Sequence, residues 1–368
     1  MAADRVGKTR ILLLGPGIDA VSGVSTHLNQ LFGSSLADDF ELTHLQVGSE
    51  GRRESTIQKA ARLVSTPFQL AARIVRDRPD IVHVNVSLDH KSFPRDAVYL
   101  AVARTLRRKV VFQVHGGEMP AALYAGSVAR TRFVASVLRG ANVVVLLAKS
   151  ELMAYSAFVP DVRLQIIANA VQLNQQAELP KSSTSGPIRL AYMGRLVSTK
   201  GVADCIAAAQ LLRDSGRDFT LTIAGSGPEE DELRKQATAL SQVGVVDFVG
   251  ALSGREKDEL WRNSDVFVFP TFHLEGLPYS LLESMAAGTV PITTRVGAQP
   301  DVIEDGVHGL FVPPHNPRAL FEAILKLDDD RQLLHAMSDR GRARVRDYYG
   351  TNRLAEDFRG LYRSLEHS

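Results

Sequence analysis

Short runs of apolar and β-branched residues alternate with amphipathic segments along the first half of the chain. The apolar runs occupy residues 11–14, 81–86, 110–114, 143–147 and 166–167, and segments with helical periodicity separate them. Short continuous apolar runs between helical segments are typical of parallel strands whose sheet is covered on both faces. The pattern therefore predicts an α/β domain at 1–175.

The same alternation restarts after a polar stretch at residues 172–187, which we interpret as an interdomain linker. Strands are predicted at 188–193, 219–224, 245–249, 266–269, 290–293 and 310–312. Helices are predicted to begin at Pro228 and at Pro317, with Asn316 as the N-cap of the second. The pattern predicts a second α/β domain at 188–350, with the two parallel sheets facing one another.

The last segment of the chain is amphipathic. Residues 351–366 place apolar side chains at helical spacing, which predicts a helix. We expect residues 351–368 to cross back to the N-terminal domain.

Composition indicates the cellular compartment in which we expect the protein. Cys205 is the only cysteine among 368 residues, so an intramolecular disulfide or a cysteine-rich metal site is excluded, as fits a reducing cytosol. No apolar run approaches the roughly 18 residues of a transmembrane helix. Residues 1–10 lack the apolar core of a signal peptide. The expected location is cytoplasmic.

The formal net charge of +2 conceals an asymmetry between the two halves. Residues 1–175 contain 21 Lys/Arg and 14 Asp/Glu, a formal +7, whereas the remainder carries 22 and 27, a formal −5. Either the basic half meets an anionic partner, or the charges are scattered over a solvated surface. The sequence leaves both interpretations open.

Candidate ligand contacts follow the strands of the first half, since open parallel sheets bind ligands beyond the carboxyl ends of their strands. A glycine-containing loop at 15–17 leads to a helix opening near Gly23, but it is not GxGxxG and favours no dinucleotide. His115, followed by two glycines, is either a ligand contact or a structural turn histidine. No set of metal ligands accompanies it, so no metal is expected.

A basic pair follows the first strand of the second half. Arg195 and Lys200 lie on a loop bounded by Gly194 and Gly201. Arginine can bind two phosphate oxygens at once and lysine adds a mobile point charge, so the pair suits a diphosphate. A solvated basic loop is the alternative.

Two glutamates follow the strand at 266–269. Glu275 lies in a loop, Leu277 and Pro278 are predicted to begin a helix, and Glu283 lies near its second turn. A helix N-terminus can hold phosphate through backbone N–H groups, while the carboxylates accept hydrogen bonds from hydroxyls on either side. A nucleotide sugar has this layout of ribose, diphosphate and sugar. The alternative is that each glutamate is simply exposed to solvent, as a single glutamate usually is.

Together these segments resemble the retaining glycosyltransferases of family 4, which have the GT-B fold of two facing Rossmann-like domains. The resemblance is strongest between residues 194 and 314. It rests on the Glu-x7-Glu spacing from Glu275 to Glu283, on the Gly194-Arg195-Leu196…Lys200-Gly201 loop, and on the Gly225-Ser226-Gly227-Pro228 and Gly306-Val307-His308-Gly309-Leu310 segments.

The resemblance implies roles for individual residues. Arg195 and Lys200 would bind the donor diphosphate, and backbone N–H groups near Gly276 and Leu277 the distal phosphate. Glu283 would bind the ribose and Glu275 the donor sugar. From the first domain, Gly23 would close over the phosphates and His115 would contact the transferred sugar.

The reaction implied is hexosyl transfer with retention. We favour attack on the same face, in which the departing phosphate oxygen assists deprotonation of the acceptor. Arg195, Lys200 and the helix dipole would stabilise the leaving group without a metal or other cofactor. A UDP-sugar is the favoured donor and GDP-mannose the second choice.

A basic amphipathic stretch lies in the first domain. Arginines and lysines alternate with apolar residues between positions 52 and 78. Such a stretch is typical of a helix at an anionic membrane surface, which would suit a peripheral enzyme with a glycan or lipid-linked acceptor in cell-surface polysaccharide or glycolipid synthesis. A solvated basic helix packed by its apolar face is the alternative.

Two rival functions stay open. The first is another enzyme on the same fold, a nucleotide-sugar epimerase or a sugar phosphorylase. The second is a non-catalytic nucleotide-sugar binder. Nucleic-acid binding is not expected, because no interleaved basic and aromatic motif occurs.

Overall fold

The computed structural model describes residues 7–52, 54–173, 186–274 and 276–366, which form two compact units. Unit 1 comprises the described residues of Met1–Ala170 and Thr351–Ser368, and unit 2 those of Val171–Gly350. Most of the predicted linker lies outside the described residues, as do Arg53 and Glu275.

Unit 1 is an α/β unit whose described strands all pair in parallel. Its strands are β1 (Arg10–Gly15), β2 (Glu41–Gln46), β3 (Ile81–Leu88), β4 (Lys109–Gly117), β5 (Val143–Leu146) and β6 (Leu164–Ile166). Its helices are α1 (Gly23–Phe32), α2 (Leu36–Asp39), α3 (Thr56–Asp77), α4 (Phe93–Thr105), α5 (Val128–Gly140), α6 (Lys149–Phe158) and the C-terminal helix, numbered last as α15 (Thr351–Glu366). The strand order among the described residues is β2-β1-β3-β4-β5-β6.

The sheet of unit 1 is buried on both faces, which explains its continuous apolar runs. Along β1, Ile11 and Leu13 pack in one core cluster, and Leu12 and Leu14 pack in the other. The first cluster includes the apolar face of α15, so the C-terminal helix covers one face of this sheet.

Strand β2 is absent from the strands predicted above. Its residues are half-buried at the edge of the sheet, and its first residue, Glu41, is exposed. Because an edge strand needs no continuous apolar run, its sequence lacks the signal that identified the central strands.

Unit 2 repeats the architecture, again with all described strands in parallel. Its strands are β7 (Ile188–Met193), β8 (Phe219–Ala224), β9 (Val246–Gly250), β10 (Val266–Phe269), β11 (Val290–Thr293) and β12 (Leu310–Phe311). Its helices are α7 (Val202–Asp214), α8 (Glu230–Gln236), α9 (Thr238–Ser241), α10 (Gly254–Asn263), α11 (Tyr279–Ala286), α12 (Gln299–Val302), α13 (Pro317–Asp329) and α14 (Arg331–Tyr348). The described strands follow the order β12-β11-β10-β7-β8-β9.

Helix starts in unit 2 follow local capping chemistry. Asn316 caps α13 as predicted, since its side chain accepts a hydrogen bond from the Ala319 N–H at 2.9 Å. The helix predicted at Pro228 begins instead at Glu230, after a turn. The helix predicted from Leu277 and Pro278 begins at Tyr279, with Pro278 in an extended conformation at the N-cap.

The order of each sheet reverses at one point. In unit 2, β7 and β10 are neighbours although β8 and β9 separate them in the chain, and in unit 1 the corresponding neighbours are β1 and β3. At such a switch point the loops beyond the carboxyl ends diverge and leave a crevice. The switch point of unit 2 therefore marks where a ligand should bind to that unit.

Candidate functional site

The basic loop of unit 2 begins at the carboxyl end of β7, on one side of the switch point. Arg195 is exposed, and a 3₁₀ turn at Ser198–Lys200 brings Lys200 back to the sheet. Gly201 has a φ of +72°, and a Cβ there would lie 2.3 Å from the Pro270 carbonyl oxygen. Only glycine fits this approach, so the loop is held against the segment that follows β10.

Backbone contacts with the loop after β8 fix the other end of the basic loop. The Leu196 N–H donates to the Ser226 carbonyl at 3.0 Å. A Cβ at Gly225 or Gly227 would lie 1.8 or 2.2 Å from the carbonyl oxygens of Gly194 and Leu196 respectively. These glycines therefore let two loops pack with their backbones in contact.

Lys200 is a desolvated cation. Its Nζ lies 5.7 Å from the centroid of the Phe269 ring. Burial, together with the neighbouring positive charge of Arg195, lowers the pKa of Lys200 from 10.5 to about 8. An anion placed beside this pair would offset both effects, since it favours the charged form of the lysine.

His273 joins the basic pair from the segment after β10. The backbone N–H groups of Phe272 and His273 both donate to the Thr199 carbonyl, at 2.9 and 3.1 Å. Partial burial lowers the pKa of His273, and the charges of Lys200 and Arg195 lower it further. His273 was not among the predicted site residues, although its position two residues before Glu275 was an available signal.

Helix α11 starts just beyond this segment. Gly276 and Leu277 are buried, and the N-cap residue Pro278 offers no side-chain acceptor to the first turn. A helix of this kind leaves its first backbone N–H groups without intrahelical partners and carries a partial positive charge at this end. The predicted phosphate contacts at Gly276 and Leu277 thus lie at an electropositive helix start.

Glu283 occupies the second turn of α11 and has a cationic partner. The Lys257 ammonium, on α10, donates to Glu283 Oε1 at 2.5 Å. Both side chains are mostly buried, with 26% and 16% of their surface exposed. Lys257 was not predicted as a site residue, because 26 residues separate it from Glu283 and no local pattern links them.

Glu275, the predicted contact to the donor sugar, lies outside the described residues. Among the described residues, unit 2 brings Arg195, Lys200 and His273 together.

His115 of unit 1 lies near the end of β4, beside the switch point of its own sheet. Its Nε2 lies 2.7 Å from Asn85 Oδ1, and Asn85 Nδ2 donates to the Leu14 carbonyl at 3.0 Å. Since the amide nitrogen of Asn85 is engaged with a carbonyl, its oxygen must accept from His115, which places the ring proton on Nε2. Burial holds the pKa of His115 well below 6.5, so the ring is neutral and its Nδ1 is an acceptor.

Glycine geometry fixes the loop after His115. Gly116 and Gly117 have φ values of +116° and +110°, and a Cβ at Gly117 would lie 2.4 Å from the Leu88 carbonyl oxygen. The two glycines are required by the backbone, which explains the His-Gly-Gly pattern.

Gly23 is exposed at the first position of α1. Ser22 caps the helix by accepting from the Ser25 N–H at 3.2 Å, and Ser25 Oγ donates to the Gly17 carbonyl at 2.8 Å. The glycine loop after β1 and the start of α1 are thus tied together.

No helix among the described residues is long and apolar enough to cross a membrane. Nor do they contain a group of three His, Cys, Asp or Glu side chains that could hold a metal ion.

Unit 2 is similar to a known protein family. Residues 175–344 match the family described as glycosyl transferases group 1. The glycogen synthase of Mycobacterium tuberculosis is 33% identical over 167 residues, 45% of this chain and 40% of that protein. A putative colanic acid biosynthesis glycosyltransferase, WcaL of Escherichia coli, is 26% identical over 56% of this chain and 52% of its own. The chain thus spans about half or less of the length of these relatives.

Solved structures match over nearly the whole chain. Sucrose-phosphate synthase from Thermosynechococcus elongatus superposes with a TM-score of 0.78 at 19% identity, covering 98% of this chain and 100% of that one. Anabaena HepE in complex with UDP-glucose superposes with a TM-score of 0.72 at 16% identity, over 96% and 99% of the two chains. At these identities the likeness concerns the fold, and it confirms the predicted GT-B class.

Proposed function

We propose, from the match of residues 175–344 to the family described as glycosyl transferases group 1, that the protein is a retaining hexosyltransferase. It transfers a sugar from a nucleotide-sugar donor to a glycan or lipid-linked acceptor. One observation carries the proposal: Arg195 and Lys200, on a loop fixed by Gly201, flank the switch point of unit 2 together with the start of α11.

The diphosphate is the part of the donor that this arrangement suits best. Arg195 contributes a bidentate guanidinium. Lys200 contributes an ammonium whose charged form is disfavoured by burial and by the charge of Arg195. The start of α11 adds backbone donors near Gly276 and Leu277. Because negative charge grows on the diphosphate as the anomeric bond breaks, these groups stabilise the transition state more than the ground state.

Glu283 is the proposed contact to the ribose. Its Oε1 accepts a hydrogen bond from Lys257, which fixes the side chain, and a carboxylate has several further lone pairs for ribose hydroxyls. Glu275 is proposed to hold hydroxyls of the donor sugar. Retention then follows from same-face attack, with the departing phosphate oxygen taking the acceptor proton.

In unit 1, His115 is the proposed contact to the transferred sugar. Its neutral ring carries an acceptor at Nδ1, to which a sugar hydroxyl can donate. Gly23 is the proposed contact of this unit to the donor phosphates. A His115→Ala variant should lose turnover while it retains binding of UDP, because UDP contains no sugar to be transferred.

A UDP-sugar is the proposed donor, with GDP-mannose second. HepE, whose fold this chain shares, has been solved in complex with UDP-glucose. Relatives named for colanic acid and capsular polysaccharide biosynthesis support an acceptor in cell-surface polysaccharide synthesis.

Helix α3 is proposed to lie on an anionic membrane where a lipid-linked acceptor is reached. Ile57, Val64, Phe68 and Val75 form a stripe on its outer side, at 82%, 69%, 73% and 62% exposure. Four of the predicted basic residues already have acidic partners, namely Arg52, Arg62, Arg73 and Arg76. The apolar stripe therefore supports this proposal more than the basic residues do.

The test of the proposed reaction is transfer from a panel of UDP- and GDP-sugars to polyprenyl-phosphate-linked and free glycan acceptors, with the product anomer assigned by NMR. Retained configuration is expected, and an inverted product would refute the mechanism. Conversion of donor without acceptor would indicate an epimerase. Unchanged transfer by a Glu275→Gln variant would remove that residue from the proposed site.

A further inference from the structure

A basic cavity of about 730 Å³ lies on unit 1 at the amino ends of its strands. Its lining includes the first residues of β1, β3 and β4, namely Arg10, Ile81 and Lys109. His115 lies near the carboxyl end of β4, where ligands of parallel sheets usually bind. The cavity therefore lies at the opposite edge of the same sheet.

The charge of this cavity is strongly positive. Among the described residues, six cations line it, and the acidic residues in the lining are Asp80 and Glu366. Asp80 accepts from the backbone N–H of Arg10 at 2.9 Å, and Glu366 accepts from the Thr9 hydroxyl at 2.5 Å. Both carboxylates therefore hold the start of β1.

Three arginines in the lining have no ion pair within the described part of the chain: Arg78, Arg107 and Arg108. Arg10, by contrast, is paired with Glu41 at 3.0 Å. The Nε of Arg108 is buried and has no hydrogen-bond partner in the described residues. A buried guanidinium nitrogen without an acceptor is costly, and an anion in the cavity would supply one.

Two of these three arginines also have an unusual backbone conformation. Arg78 and Arg107 have φ values of +49° and +56°, and the described chain contains one further non-glycine residue with positive φ. These positions follow α3 and α4, where glycine or asparagine would fit with less strain. A helix C-terminus favours a cation, which accounts in part for Arg78 and Arg107. It does not account for Arg108 and Lys109, which lie at the start of a strand.

We infer that this cavity is an anion site for a phosphate-bearing ligand, separate from the donor site. Guanidinium groups without carboxylate partners recognise phosphate oxygens through paired N–H donors. The phosphate could belong to a lipid headgroup or to a free phosphorylated molecule. The inference does not rest on the proposed function, since it uses no residue of the donor site.

Calorimetric titration with inorganic pyrophosphate tests the inference. Arg107→Gln with Arg108→Gln should weaken one binding event at least tenfold. Arg195→Gln with Lys200→Gln should leave that event intact. The exposed pair Arg130→Gln with Arg132→Gln, on α5 of the same unit, removes the same charge and should change nothing. Pyrophosphate binding that does not respond to the Arg107 and Arg108 changes would overturn the inference, whatever the donor-site pair shows.

A second variant guards against loss of fold. Arg78→Gly with Arg107→Gly places glycine at positive φ, so the melting temperature should be unchanged or raised while pyrophosphate affinity falls at least tenfold. Retained affinity in this variant would count against the inference.

Flotation with vesicles of equal phosphatidylglycerol and phosphatidylcholine distinguishes the two sources. A loss of flotation in the Arg107 and Arg108 variant identifies the ligand as a lipid headgroup. Unchanged flotation together with weakened pyrophosphate binding identifies a free phosphorylated molecule.

Discussion

Lys200 holds its charge in surroundings that disfavour it. Replacing it with methionine should therefore raise the stability of the unliganded protein while it lowers donor affinity. The pKa of Lys200 falls from 10.5 to about 8 in the fold. One pKa unit corresponds to about 1.4 kcal/mol, so a gain on the order of 3 kcal/mol is expected at pH 7.

The size of this effect depends on pH. Below pH 8 the folded protein must charge a disfavoured lysine, and the penalty disappears as the pH rises through 8 towards 10.5. Urea unfolding of Lys200→Met and wild type should thus differ at pH 7 and converge by pH 10. Lys326→Met, at an exposed position of unit 2, serves as the control and should show no gain. Equal stability of Lys200→Met and wild type at pH 7 would contradict the account.

The local motifs of unit 2 could be predicted from sequence, whereas their partners could not. Arg195 and Lys200 were identified because five positions of one loop carry the pattern. The pairing of Lys257 with Glu283 depends on how α10 packs beside α11. The position of His273 beside Lys200 depends on backbone hydrogen bonds to the Thr199 carbonyl, which join two loops. Such contacts join residues far apart in the chain, so no local pattern records them.

At the scale of elements, the loops of unit 2 depend on glycines at their crossing points. Gly225→Ala would add a Cβ 1.8 Å from the Gly194 carbonyl oxygen, at a φ of +141°. The basic loop must then move, and we expect about 2–4 kcal/mol of lost stability and at least tenfold weaker donor binding. Both can be measured by urea unfolding and calorimetry.

The control for this change is Gly216→Ala. Gly216 has a φ of +75°, but nothing lies within 4 Å of its added Cβ. It should cost about 1 kcal/mol through backbone strain and leave donor binding intact. Equal effects of the two substitutions would show that the loop contact is unimportant.

The outer stripe of α3 gives a second prediction at this scale. Val64→Glu with Phe68→Glu should abolish flotation with phosphatidylglycerol vesicles, because it places two charges on the apolar side of the helix. Val128→Glu with Met153→Glu adds the same charge at positions of unit 1 that are similarly exposed, at 68% and 69%. If that pair reduces flotation equally, net charge and not α3 determines membrane binding.

Element by element, the central strands were predictable and the exceptions have physical causes. Continuous apolar runs marked the strands that are buried on both faces. β2 has no such run because it lies at an edge. The starts of α8 and α11 differ from the predictions because a proline can occupy a turn or an N-cap as well as the first helical position.

At the scale of the whole molecule, unit 1 should be sensitive to acid. His27 and His83 are fully buried, with pKa values lowered by burial to about 4 and about 3, and that of His115 is also well below 6.5. Since the unfolded chain binds protons near pH 6.5, stability is complete above that value and is lost as the pH falls towards 4.

His27 and His83 should each cost about 2 kcal/mol of unfolding free energy between pH 7 and pH 5, and His115 should add to this loss in the same direction. The measurement is urea unfolding followed by far-UV circular dichroism at the two pH values. His83 is held by the Tyr362 hydroxyl at 2.7 Å and by Gln113 at 2.9 Å, so the loss should involve the packing of α15. Equal stability of unit 1 at pH 7 and pH 5 would contradict these pKa values.

The central claim is that the loop carrying Arg195 and Lys200 binds the diphosphate of a nucleotide sugar. Calorimetric titration with UDP-glucose, and with a panel of other UDP- and GDP-sugars, tests it most directly in wild type and in Arg195→Gln with Lys200→Gln. The account predicts at least 100-fold weaker binding of the preferred donor in the variant. The exposed pair Arg262→Gln with Lys326→Gln, also on unit 2, should bind as wild type does. Donor affinity unchanged by loss of Arg195 and Lys200 would contradict the account.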